Sequence, residues 1–140
     1  MNNVLNNNEF EKKRVLRTYL ANNGWQEIIT YSLISQEMKE RFKEIAEDKF
    51  YELLMPKSEY HKYYRQTLVS SHLKTIKYNL SHGNKNFFFF EISSVANSLQ
   101  QEDLLILSGI DKLVNQPLHQ LTQEIDFYGI KGVLENIFQL

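Results

Sequence analysis

An α+β domain, with helices packed on a mainly antiparallel sheet, is the fold class this sequence predicts. Two observations carry it. Apolar runs that read as strands, at 87–92 and 104–110, neighbour each other after a long helical segment, without regular strand–helix–strand spacing. Upstream, segments with the 3.6-residue apolar period of a helix alternate with β-branched and aromatic runs. That alternation also permits a parallel α/β sheet. The second half does not continue it, so the parallel alternative is the weaker one.

Residues 1–8 form an Asn-rich lead-in expected to be disordered, and 9–140 are expected to form one domain. Val15, Leu16, Tyr19 and Leu20 share a helical face, and Asn22-Asn23-Gly24 supplies a left-handed cap to end that helix. Residues 28–33 are β-branched and aromatic and predict a strand with Ile29, Tyr31 and Leu33 on one face. Ser35 reads as an N-cap, with Glu37 in the first turn of an amphipathic helix marked by Met38, Phe42, Ile45 and Ala46. Residues 50–55 predict a short strand stopped by Pro56, and the polar-aromatic segment up to Tyr64 predicts a loop.

A long helix is expected from Arg65, because Val69, Leu73, Ile76 and Leu80 recur at helical spacing and Gly83 can cap its end. Residues 87–92 are apolar on both faces, as in a central strand covered on both sides, and 104–110 repeat that pattern. Asp126 can cap a last helix whose inner face is Phe127, Ile130, Leu134, Ile137 and Phe138.

Composition narrows function by exclusion. Apolar residues make up 42% and aromatics 13%, enough for a core. Sixteen basic residues against seventeen acidic ones argue against a self-sufficient binder of nucleic-acid phosphates. With no cysteine, disulfide scaffolds, thiolate metal sites and cysteine nucleophiles are ruled out. The longest apolar run is the four phenylalanines 87–90, and the first ten residues lack the pattern of a secretory signal. A soluble cytosolic protein, or a soluble piece of one, is the expectation.

Motif chemistry is sparse. No phosphate-cradling G-x-x-x-x-G-K-[ST] or G-x-G-x-x-G occurs. Gly129 and Gly132 flank the start of the last helix, where close packing on the sheet is a simpler expectation than anion binding. His72 and His82 lie on one helix but diverge by about 80°, so they cannot share an ion unaided. His72 is expected to be a half-buried packing residue, and His61 and His119 fall in no metal-ligand pattern.

Ser70-Ser71-His72 has the letters of a hydrolase, yet adjacent helical residues point apart. A hydrolase built on Glu59, His61 and His72 would need all three to converge in one pocket. Tyr60-His61-Lys62-Tyr63-Tyr64-Arg65 could stack bases and hold phosphates, making a small RNA-binding module the alternative function. A Tyr-rich protein contact is the favoured reading of that stretch.

A resemblance enters at Arg65-Gln-Thr-Leu68-Val-Ser-Ser-His-Leu73, followed by Tyr78-Asn79-Leu80, Gly83-Asn84-Lys85 and Phe90-Glu91-Ile92. These pieces resemble the catalytic-like core of the phenylalanine–tRNA ligase β chain, which reads approximately R-T-S-L-L-P-x-L-L, Y-N-L-x-R-G-N-K and F-E-I-G. Gly24, Glu27 and Thr30-Tyr31-Ser32-Leu33 are similar to that family's first core strand, and Leu54, Pro56, Ser58 and Glu59 approximate its loop before the long helix. Asp126-Phe127-Tyr128 and Lys131-Gly132 resemble its last helix start. Met55, Ser70, His82 and Ser93 depart from the pattern, standing where it has Asn, Pro, Arg and Gly.

The resemblance implies a class II aminoacyl-tRNA synthetase-like antiparallel sheet flanked by helices, cut short at the C-terminus relative to the family's core. It implies a noncatalytic module that packs against the catalytic α chain within a cytoplasmic heterotetramer charging tRNA(Phe) with phenylalanine. ATP and magnesium then belong to the complex, and this chain alone carries no cofactor, metal or catalytic residue, and meets no membrane or DNA. Independently, none of Arg14, Arg17, Arg41 and Arg65 lies in the F-R-x-E or G-x-G-x-x-R context with which class II enzymes clamp ATP. Arg65, Tyr78, Asn79, Phe90 and Glu91 are the residues expected to serve structure or an interface. A charge beside an apolar segment needs a partner, so Arg65 and Glu91 are expected to pair.

Overall fold

A computed structural model describes residues 3–42, 50–96, 101–110, 112–116 and 121–139. In chain order the elements are α1 (Asn3–Asn22), β1 (Gln26–Glu27), β2 (Leu33–Ile34), α2 (Gln36–Arg41), β3 (Tyr63–Tyr64) and α3 (Val69–Ser81). They continue with β4 (Phe87–Ala96), β5 (Gln101–Ile110), β6 (Lys112–Gln116), β7 (Leu121–Glu124) and α4 (Phe127–Ile137). One sheet has the order β1-β4-β5, and two-stranded sheets are formed by β2-β3 and by β6-β7. Within the single domain expected over 9–140, packing groups the chain into two compact units, residues 1–27, 84–90 and 107–140 and residues 28–83 and 91–106.

In the first unit, α1 ends where the sequence expects. Gly24 takes a φ of 82°, and the Trp25 N–H donates to the Leu20 carbonyl at 3.0 Å, closing the last turn. The chain then enters β1, which pairs in parallel with β4 through Gln26↔Phe89 and Glu27↔Phe90. Arg17 donates to Glu27 at 2.7 Å, tying helix to strand. Leu20, Trp25, Phe87, Phe89 and Phe90 are buried, with Trp25 edge-on to Phe88 and Phe87 stacked on Phe89. Asp126 caps α4 as its position predicts, accepting from the Gly129 N–H at 2.7 Å.

In the second unit, Ser35 caps α2 by accepting from the Met38 N–H at 3.2 Å, again as expected. Strands β2 and β3 pair antiparallel through Leu33↔Tyr64 and Ile34↔Tyr63. Helix α3 ends before Gly83, whose φ is 85°. Ile34, Tyr63, Leu68, Val95 and Ala96 are buried here.

Several expectations change. The one mainly antiparallel sheet becomes three small sheets, one containing the parallel β1–β4 pair. The strand expected over 28–33 survives only as β2, because the Thr30 N–H donates to the Glu91 carboxylate instead of a neighbouring strand, leaving Ile29 90% exposed. Residues 50–55 form no strand; Glu52 alone makes a bridge to Tyr63, and Leu54 and Met55 point fully outward. Strand β3 occupies the end of the expected loop, and α3 begins at Val69, with Arg65 in the approach to it.

The β6–β7 hairpin was not expected. On α4 the covered stripe is Ile130, Val133 and Ile137, whereas Phe127 and Phe138 are exposed. Among the described residues a Cβ at Gly132 would meet nothing within 4 Å, so no close packing against them explains that glycine. Ile45, Ala46 and His119 lie outside the described residues.

Candidate functional site: a buried ion pair behind an aromatic pocket

Arg65 is held at both ends of its own backbone. Its N–H donates to the Ser32 carbonyl at 2.9 Å, and its carbonyl accepts from Ala96 at 3.2 Å. The side chain is fully buried, so each guanidinium N–H requires an acceptor. Nη2 donates to Glu91 Oε1 at 2.8 Å and to Ser93 Oγ at 2.7 Å, and Nη1 donates to Thr30 Oγ1 at 2.6 Å. The expected Arg65–Glu91 pair is therefore present.

Glu91 sits on β4, where Phe89, Phe90 and Glu91 are consecutively buried, as a strand covered on both faces requires. Its carboxylate also accepts from the Thr30 N–H at 3.3 Å and the Thr30 hydroxyl at 2.7 Å, and His72 Nε2 lies 3.4 Å from Oε2. Burial pushes the Glu91 carboxyl up. The hydrogen bonds from His72, Thr30 and Arg65, together with the Arg65 charge, outweigh that and hold it at about 2, below the ordinary 4.5. His72 is buried in this cluster rather than half-exposed beside it. Sequence reasoning named Arg65 and Glu91 but missed Thr30, His72 and Ser93 as their partners.

On α3, Tyr78 is exposed and stacks on His82 with ring centroids 4.0 Å apart. Asn79 donates from Nδ2 to the Thr75 carbonyl at 3.0 Å. Tyr78 lines a cavity of about 320 Å³, together with Tyr31, Tyr60, His61, Ser71 and Lys74 among others. Neither Arg65 nor Glu91 lines it, so the expected residues divide between a buried cluster and a pocket wall.

The hydrolase constellation does not assemble. His61 lines the pocket beside Ser58 Oγ at 3.1 Å, His72 is in the buried cluster, and Glu59 does not line the cavity. The aromatic-basic stretch also divides. Lys62 pairs with Glu52 at 3.0 Å, Tyr63 is buried with Lys39 4.3 Å from its ring centre, and Arg65 is enclosed. Glu52 raises the Lys62 pKa through that hydrogen bond and its charge. Among the described residues, no three His, Asp or Glu side chains are placed to hold a metal ion.

The family model "Phenylalanyl tRNA synthetase beta chain CLM domain" matches residues 3–140. The chain belongs to this family. Among its relatives are phenylalanine–tRNA ligase β subunits from Oceanobacillus iheyensis, 30% identical over 90% of this chain, and Rickettsia typhi, 33% identical over 96%. The chain spans 17% of the length of each of these two relatives, about one sixth.

In fold, this CLM-family chain is similar to PylSc, a pyrrolysyl tRNA synthetase of Desulfitobacterium hafniense, with a TM-score of 0.65 at 16% identity over 93% of this chain and 44% of that one. A mixed α+β fold is thus shared with that synthetase despite low identity. No helix among the described residues is long and apolar enough to cross a membrane.

Proposed function

We propose that this domain is a noncatalytic scaffold of a phenylalanine–tRNA ligase β chain, packing against the catalytic α chain in the complex that charges tRNA(Phe). One observation carries the reading: every arginine is already committed to a carboxylate. Arg14 pairs with Glu11, Arg17 with Glu27, Arg41 with Glu37 and Arg65 with Glu91, at 2.7–2.9 Å. Adenylate formation needs cationic donors aimed at a phosphate, and the one buried guanidinium here has its donors turned to Glu91, Thr30 and Ser93. The ATP and magnesium consumed in charging are then bound at the active site of the α chain, in the cytoplasm, and this chain supplies no ligand there.

Apolar side chains directed outward, Leu54 and Met55 in one unit and Phe127 and Phe138 in the other, support a partner-facing role. Light scattering of this chain mixed with a phenylalanine–tRNA ligase α chain tests the proposal. A stoichiometric complex, with no phenylalanine-dependent pyrophosphate exchange by this chain alone, is the expected result. Exchange by the isolated chain would overturn it.

A further inference from the structure

We propose that the cavity beside α3 binds a nucleotide, with the base among Tyr31, Tyr60 and Tyr78 and the phosphate on Lys74. The cavity holds about 320 Å³, space for one base and its sugar rather than for a folded partner. Its three tyrosines are 77%, 75% and 62% exposed, and although His82 stacks on one face of Tyr78, ring surface is left open to a planar ligand. Two are oriented by neighbours: Tyr31 lies 4.8 Å from the His61 ring and Tyr78 4.0 Å from His82, centre to centre. Aromatic faces presented this way stack any base, irrespective of sequence.

Charge selects the ligand further. Among the described residues, Lys74 is the one formally charged residue lining the cavity, and it makes no ion pair with any of them. Helix α3 carries Lys74 and Lys77 and no acidic residue, so its own contribution to the charge beside the cavity is positive. Among the described residues no carboxylate lines the wall, and Glu91 is enclosed behind Thr30 with its oxygens occupied. A ligand bearing an ammonium group, such as a free amino acid, would find no counter-charge. A planar ring with an attached anion finds both of its partners, with the Ser71 hydroxyl as a further polar group. This site differs from the phosphate-holding stretch the sequence suggested: Tyr60 stays, but the cation comes from Lys74 and not from Arg65.

The site is independent of the scaffold role, and its test needs no α chain. Calorimetric titration of the intact chain with AMP, and separately with a short oligoadenylate, is expected to give saturable one-to-one binding. Lys74→Gln, a neutral exchange at an exposed helical position, should weaken it about tenfold, the loss of one charge-assisted contact. Tyr60→Ala should weaken it by a similar factor, with the circular dichroism of both variants unchanged. Equal affinity for the two probes identifies a free nucleotide as the ligand, and binding of the oligonucleotide alone identifies a strand. No saturation with either probe, or binding indifferent to both substitutions, overturns the proposal.

Discussion

Replacing Glu91 with Gln separates the buried charge from its geometry. The amide keeps the shape, but Arg65 loses its counter-ion in a site without water access, where removing one partner of an ion pair costs about 3–5 kcal/mol. The lowered pKa of Glu91 points to a similar size. Its carboxyl lies at about 2 in the fold against 4.5 ordinarily. At about 1.4 kcal/mol for each pH unit, that drop corresponds to about 3–4 kcal/mol.

Because the folded value is the lower one, the contribution is complete above pH 4.5 and is lost as the pH falls from there through about 2. Urea unfolding followed by circular dichroism, for wild type and E91Q across this range, measures it directly. The gap between the two proteins should be about 3–4 kcal/mol at pH 6 and should close as the pH falls through about 2, where Glu91 of the wild type is neutralised in turn. Other carboxylates titrate in both proteins and cancel. A gap of the same size at both ends, or one below about 1 kcal/mol at pH 6, would refute the account of Glu91 as a charged, pre-organised acceptor.

Ser35→Ala and Asp126→Ala each remove the side chain that caps a helix N–H, at Met38 and Gly129, and should each lower stability by about 1 kcal/mol in the same assay. Gly109→Ala places a Cβ 2.6 Å from both Ile125 Cδ1 and Phe88 Cδ1, so a loss of about 1–3 kcal/mol is expected from overpacking. A stability unchanged by that substitution would show the Phe88 ring free to move aside.

Features set by neighbouring residues were legible before the fold. Asn22-Asn23-Gly24 ended a helix because only a left-handed residue closes that turn cheaply, and Ser35 and Asp126 started helices because their oxygens reach an N–H three residues on. The run 87–92 read as covered on both faces because its alternate residues were all apolar until Glu91. Glu91 itself was readable as a charge needing a partner, and Arg65 was the cation at hand.

What failed was set at a distance. Thr30 leaves the strand pattern for a carboxylate 61 positions along the chain, and nothing near Thr30 announces that bond. His72 looked like the edge of an apolar stripe because its acceptor, Glu91, lies outside its own helix. On α4, periodicity gave the apolar positions but could not tell which of them would be covered.

The departures from the family pattern are informative once the contacts are known. Ser93 stands where the pattern has glycine, and its hydroxyl accepts from Arg65 at 2.7 Å, adding an acceptor to the guanidinium. Ser70 stands where the pattern has proline, and its case is the reverse. It is 2% exposed, and among the described residues its Oγ has no hydrogen-bond partner. A buried hydroxyl without a partner costs about 1–3 kcal/mol of desolvation, so the usual penalty for Ser→Ala in a core should change sign here. Alanine also has the higher helix propensity, by several tenths of a kcal/mol.

Ser70→Ala is therefore expected to raise stability by about 1 kcal/mol, read as a higher urea midpoint at unchanged slope. A drop of that size would mean that the hydroxyl is satisfied in solution, and that Ser70, like Ser93, is part of the polar lining of the α3–β4 cluster rather than a proline replaced at a cost.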